Sequence, residues 1–209
     1  MEDYLDEREQ WDRVKAWLRE QGPWMVVSVA IVGLGLFGWR YYQSRIEQRD
    51  LTAAARYQQV LTSFSNNDVA GGVLIADQLI KDYPASPYAN QADLAAARVA
   101  VELGKLDQAA TRLQRVLNTT KDPQLKDIAR LRLARVQLSE GQPDTALSTL
   151  SIGDAGAFAA RFEEVRGDAL LAKGDRAGAL KAYQQARSLA GNTLDTGLLD
   201  LKISELARS

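Results

Sequence analysis

From Gln21 to Trp39 the chain runs without a charge, QGPWMVVSVAIVGLGLFGW, and Arg40-Tyr41-Tyr42 follows at once. A helix rises about 1.5 Å per residue, so this run covers about 28 Å, close to the hydrocarbon thickness of a bilayer. Trp24 at one end and Trp39, Tyr41 and Tyr42 at the other suit the two interfacial belts. A buried core helix is the competing reading, but the flanking aromatics and the polar remainder fit a membrane anchor better. A cleaved signal peptide fits poorly. The start is acid-rich (Glu2, Asp3, Asp6, Glu7, Glu9, Asp12, Glu20), and no Ala-x-Ala-like site closes the run. The expected layout is a leader over 1–20, a transmembrane helix over 21–42 and one helical domain over 43–209.

Charge does not orient the anchor. Arg13, Lys15 and Arg19 precede it, and Arg40, Arg45 and Arg49 follow it. That is close to a tie, and a long domain translocates despite its charges. A membrane-tethered, cytoplasm-facing scaffold or regulator therefore stays open beside a domain on the far side. In the leader, Trp11, Val14 and Leu18 fall on one helical stripe. That allows either a helix lying on the membrane with Trp11 and Trp17 dipping in, or a frayed soluble segment. Pro23 is expected to break the chain before the span. Gly33-Leu34-Gly35-Leu36-Phe37-Gly38 spells GxGxxG, but it lies inside an apolar helix without the strand and acidic residue that a dinucleotide site needs. Small residues of this kind allow another transmembrane helix to approach closely.

Composition removes most chemistry. Cysteine and histidine are both absent, so thiol nucleophiles, disulfides, the commonest general base and the commonest metal ligand are missing. No spaced acidic loop, P-loop or SxxK pair occurs. No catalytic, metal or cofactor-binding residue is expected, and an enzyme is the weakest of the readings. Lys and Arg number 26 against 27 Asp and Glu, so charge gives no case for nucleic acid.

Beyond residue 44, Ala, Leu, Arg and Gln dominate, and helix breakers punctuate segments of ordinary helix length. The breakers repeat. Gly104, Gly141 and Gly174 open equivalent turns. An alanine follows each after five residues (Ala109, Ala146, Ala179) and a large residue after nine (Leu113, Leu150, Tyr183). A period near 34 with a helix–turn–helix unit is the tetratricopeptide pattern. The glycine caps the first helix in a left-handed turn, the alanine lets the second helix close on it, and the large residue fills the gap between pairs. Gly167 stands seven before Gly174, where the other units have Ala97 and Ala134. A degenerate first unit over 51–84 puts Asn67 in place of the turn glycine, Gly72 in place of the alanine, and Pro84 at its close. A terminal capping helix is expected over 193–207, carrying Leu194, Leu198, Leu201, Ile203 and Leu206. The fold class expected is all-α: a single N-terminal transmembrane helix followed by a tetratricopeptide-like solenoid.

Three stretches carry a resemblance. They are the leader Lys15-Ala16-Trp17-Leu18…Gly22, the exit of the apolar run Gly38-Trp39-Arg40-Tyr41-Tyr42, and the paired segments Arg130–Val136 and Val165–Asp175. With the layout, they make the chain resemble the ancillary subunit family of the bacterial SecYEG translocon, YfgM-like tetratricopeptide proteins. The resemblance implies an inner-membrane protein with its N-terminus in the cytoplasm and its repeats in the periplasm. It also implies partnership with the translocon and with a membrane-anchored periplasmic chaperone of the prolyl-isomerase type. It brings no catalytic residues.

Stacked helix pairs present a concave face lined by the first helix of each pair. Counting back from the turn glycines gives Gln91, Leu94, Arg98 and Val101 in one helix, Ile128, Leu131, Arg135 and Leu138 in the next, and Arg161, Glu164, Asp168 and Leu171 in the third. Arg98 and Arg135 occupy equivalent places and should stand side by side. Two such arginines on an apolar floor suit a carboxylate or a peptide backbone; they equally suit lying over the groove or pairing with neighbouring acids.

Overall fold

The computed structural model describes residues 7–151, 155–191 and 196–208. The chain divides into two units, one ending at Leu51 and one beginning at Thr52.

The N-terminal unit is helical. It is built from the first part of α1 (Glu7–Ser65), which runs through Pro23 rather than breaking there. A proline forfeits one ladder bond and crowds the carbonyl four residues back; in a helix of 59 residues, the turns on either side hold it. Trp11, Val14 and Trp17 are exposed, as are Trp24, Ile31, Leu34, Phe37 and Trp39. Gly33, Gly35 and Gly38 of the apolar run have nothing within 4 Å of a built Cβ. Among the described residues, no helix is long and apolar enough to cross a membrane. The side chains of Pro23, Val26, Val27, Val29 and Ala30, all in the expected span, and of Leu18 in the leader stripe, lie outside those described, as does the exposure of Gly22.

The second unit takes the end of α1 and adds α2 (Val69–Asp82), α3 (Pro87–Glu102), α4 (Leu106–Thr119), α5 (Pro123–Ser139), α6 (Pro143–Leu150), a short 3-10 turn (Gly156–Phe158), α7 (Ala159–Ala172), α8 (Arg176–Leu189) and α9 (Thr196–Ala207). Sequence punctuation explains the boundaries. Pro87, Pro123 and Pro143 each open a helix, where a missing N–H costs nothing. Ser86 and Asp122 cap α3 and α5 by accepting from backbone N–H groups.

The turns of the four helix pairs are equivalent down to their hydrogen bonds. Gly104, Gly141 and Gly174 have φ of 71°, 73° and 83°, and Asn67 has φ of 60°. In each, the turn residue's N–H reaches the carbonyl three residues back, and the next N–H reaches the one five residues before it: Lys105 to Ala100, Gln142 to Gln137, Asp175 to Leu170 and Asp68 to Ser63. These bonds satisfy carbonyls that a helix end would otherwise strand. The degenerate first unit is thus a full one, and Asn67 substitutes for glycine because its short polar side chain tolerates the left-handed region.

Each core is shared by one pair and the first helix of the next. Val60, Phe64, Ala76 and Leu79 pack with Ala92, Ala96 and Val99. Ala97, Ala109 and Leu113 pack with Ala129, Leu133 and Val136. Ala134, Ala146 and Leu150 pack with Phe162, Val165 and Ala169. The positions five and nine after each turn glycine are all buried. The terminal core joins Ala179, Tyr183 and Ala186 to Leu199, with Ile203 and Leu206 against it. The capping helix therefore exists, but Leu199 is its buried anchor while Leu198 and Leu201 face solvent. Of the expected residues, Ile203 and Leu206 lie on the core side and Leu198 and Leu201 on the other, while Leu194 lies outside the described residues.

Candidate protein-binding groove

The first helices of the second and third pairs, α3 and α5, lie beside one another through the core beneath them. Their outward side chains bound an open groove of about 400 Å³, lined by Arg98, Val101 and Glu102 of α3 and Arg132, Arg135 and Ser139 of α5. Ala97, Leu113 and Val136 form its apolar floor. The structure thus places Arg98 and Arg135 on one groove, with Val101 on its wall. The sequence reading missed Arg132. It lies three before Arg135, one helical turn away on the same face, so spacing alone could have found it.

The remaining expected positions divide. Leu94 and Leu131 are only 7% and 5% exposed and belong to the cores, so they lie beneath the face and not on it. Ile128 and Leu138 are half-buried against the same cores. Gln91 is half-buried and Arg161 exposed. In α7, Glu164 and Asp168 are occupied by a lysine from α9: Lys202 Nζ stands 3.3 Å from one and 2.7 Å from the other. Asp168 also accepts from the Tyr183 hydroxyl at 2.7 Å. Burial, then that hydrogen bond and the acidic charges of Asp168 and Glu164, push the Tyr183 phenol above its ordinary range. Leu171 lines a separate pocket with Tyr183, Lys202 and Leu206.

The groove's charges are unevenly balanced. Arg98 reaches Glu102 of its own helix at 3.4 Å, with both groups largely in solvent. Arg135 reaches Glu164 only at 4.0 Å. Arg132 makes no ion pair among the described residues. Partial burial, then the like charges of Arg98 and Arg135, hold its guanidinium below the usual arginine value. Tyr57, from the end of α1, is close enough to feel Arg132 and Arg98, although burial raises its phenol overall. Its ring meets that of Tyr88 with centroids 6.0 Å apart.

A different ion network, absent from the sequence reading, lies between α2, α3 and α4. Asp93 is 2% exposed and is met by Arg112 at 3.0 Å and Arg115 at 3.1 Å; Arg112 also reaches Asp77 at 2.9 Å. Burial raises the Asp93 carboxyl above the ordinary value even against both arginines. It sits between α3 and α4 of one pair, and Arg112 carries the network on to Asp77 in α2 of the pair before. No signal in the sequence separates Asp93 from a surface aspartate, because its partners come from another helix.

The fold resembles the crystal structure of MamA protein, with a TM-score of 0.60 at 14% identity over 75% of this chain and 81% of that one. It also resembles a thermophilic TPR protein of Thermus thermophilus, with a TM-score of 0.50 at 19% identity over 85% and 96%. These likenesses establish the all-α repeat architecture. The family model described as a tetratricopeptide repeat-like domain matches residues 15–208. Among full-length relatives, a protein of Escherichia coli K12 named ancillary SecYEG translocon subunit is 34% identical over 208 residues, covering 99% of this chain and all of that one. A protein of the same name from Aggregatibacter actinomycetemcomitans is 33% identical over 202 residues, 97% of this chain and 98% of the other. Such names denote ancillary subunits and not catalysts. The chain belongs to the ancillary SecYEG translocon subunit family, a non-enzymatic family built on tetratricopeptide-like repeats.

Proposed function

We propose that this chain is a single-pass inner-membrane subunit that associates with the SecYEG translocon. Its leader (1–20) stands in the cytoplasm, residues 21–42 cross the membrane, and the repeat domain (43–209) works in the periplasm. There it links the translocon to a membrane-anchored chaperone of the prolyl-isomerase type that acts on translocated proteins. The observation that carries this reading is the end-to-end match to relatives bearing one name: a 208-residue alignment leaves no room for the apolar run to fall outside it. The exposure of Trp24, Ile31, Leu34, Phe37 and Trp39 adds a physical reason, since so long an apolar surface with no protein cover needs lipid or a partner helix. The chaperone link rests on the family resemblance of the sequence. The first helices of the repeats supply the binding face, through Arg98, Val101 and Arg135 above all.

Co-purification from native membranes in mild detergent, with partners identified by mass spectrometry, tests the association. Stoichiometric recovery of translocon subunits with a periplasmic chaperone supports it; cytoplasmic partners alone would overturn it. The chain has no native cysteine, so single cysteines placed at Glu20 and Glu102 report topology directly. A membrane-impermeant maleimide applied to spheroplasts should label the second and spare the first.

A further inference from the structure

We infer that the groove between α3 and α5 receives an extended peptide segment carrying a carboxylate, which Arg98, Arg132 and Arg135 grip while an adjacent apolar side chain of the peptide seats on the floor at Ala97 and Val136, against the wall at Val101. The inference rests on the reading of this domain as a protein-binding one and gives its site a chemistry.

Charge is the first argument. Three guanidiniums bound the groove, and among the described residues the carboxylates available to them are Glu102, paired with Arg98 at 3.4 Å, and Glu164, at 4.0 Å from Arg135 and already held by Lys202. Arg132 makes no ion pair among those residues. An anion entering here replaces repulsion among like charges with forked hydrogen bonds, the geometry for which guanidinium is shaped. Shape is the second argument. A groove of about 400 Å³ is within the range of sites that hold a ligand of a few residues, and its apolar floor lowers the local dielectric and strengthens the pairing. The contrast along the same face is the third. On α7 the acids Glu164 and Asp168 share Lys202, so much of that end's charge is met from within the chain, whereas Arg132 has no such partner among the described residues.

The test uses the purified full-length chain in mild detergent, free of translocon, on an array of random ten-residue peptides. Bound peptides should be enriched in an Asp or Glu, or a free C-terminal carboxylate, next to an apolar residue. Amidated or Asn/Gln versions of the best binders should lose at least tenfold in affinity, and so should the protein variant Arg98→Gln/Arg132→Gln/Arg135→Gln. All three side chains are exposed, so folding is checked by thermal melting and should not change. Bound peptides without acidic preference, no bound peptides, or binding unchanged in the triple variant would each overturn the inference. So would a triple variant whose one defect is in self-association, which would give the groove to a second copy of the chain. Because no translocon is present, these outcomes are independent of whether co-purification with SecYEG succeeds.

Discussion

The first and fourth helix pairs close with an aromatic ring against a glycine, whereas the second and third close with leucine against alanine. In the fourth, a Cβ added to Gly167 of α7 would collide with the Tyr183 ring of α8. In the first the arrangement is mirrored: Gly72 is on the second helix, and Phe64 of the first would meet its added Cβ. In the inner pairs, Ala97 and Ala134 stand where Gly167 does, and Leu113 and Leu150 where Tyr183 does. The outer pairs share a second device. Asp68 and Asp175 cap their helices by accepting from Gly71 and Gly178, three residues on. Lys105 and Gln142 occupy the equivalent cap positions of the inner pairs and make no such bond. The first pair has no repeat before it and the fourth is followed only by the single helix α9, so more of their stability must come from contacts within the pair. Inner pairs are held from both sides, and their first helices carry the arginines of the groove.

The largest effect is expected in an inner core. Leu113 is fully buried among α3, α4 and α5, so Leu113→Ala should cost about 2–5 kcal/mol by lost burial and the cavity left behind. Urea unfolding of the chain in detergent should show the repeat domain's midpoint fall steeply. Next comes a swap of closures. Gly167→Ala should cost about 1–3 kcal/mol, because the fully buried Tyr183 has nowhere to move. The double variant Gly167→Ala/Tyr183→Leu gives the fourth pair the inner pattern and should recover much of that loss, minus the hydrogen bond to Asp168. If the double variant is less stable than Gly167→Ala alone, the two closures are not interchangeable and the comparison fails.

Much of this was legible from spacing. Positions five, nine and minus seven from each turn glycine all prove buried because the repeat fixes both helix register and turn geometry. Asn67 and Gly72 were legible too, since the period located them where composition alone would not. The site was half legible. Counting put Arg98 and Arg135 on one groove, where the structure has them, but it also put the buried Leu94 and Leu131 on the open face. A helix that packs on neighbours at both sides has an apolar stripe wider than its exposed one, and the stripe's edge cannot be set without knowing the neighbours. Glu164 and Asp168 look free for the same reason: Lys202 lies 34 or more residues away in sequence. Asp93 shows the limit most plainly, because burial, and not residue type, gives it its role.

That buried carboxylate gives the second pair a pH signature in the acid range, where the phenol of the Tyr183 closure, raised above its ordinary value, does not titrate. Its pKa is raised on folding, so the folded state holds the proton more tightly than the unfolded chain. Its contribution to stability is therefore fully present below the ordinary Asp value and is lost as pH rises through the raised one. Ordinary paired carboxylates, with depressed values, act in the opposite sense. Unfolding midpoints of the wild type and Asp93→Asn, compared from about pH 4 to neutrality, should show the wild type losing ground to the variant as pH rises through the acid range. A difference that is flat, or that grows in the wild type's favour, would mean that Arg112 and Arg115 outweigh burial.

The smallest effect tests the capping device. Asp175→Ala removes an acceptor from the exposed start of α8 and should cost about 1 kcal/mol. The converse graft is more informative. Lys105→Asp places a carboxylate at the equivalent start of α4, but Gln108 stands where Gly178 leaves room in the fourth pair. A Cβ at Gly178 would press on the capping carboxylate of Asp175, as one at Gly71 would on Asp68. The carboxylate grafted at 105 should therefore gain only part of the cap, a few tenths of a kcal/mol, although its charge is now favourable at a helix N-terminus. Adding Gln108→Gly opens the space at a helix-propensity cost of about 0.8–1.0 kcal/mol, roughly the value of the cap itself. The single graft should then be no less stable than the double. If the double graft is clearly the more stable, the glycine three residues past the cap is needed for the bond to form, and the paired Asp and Gly of the outer repeats act as one unit.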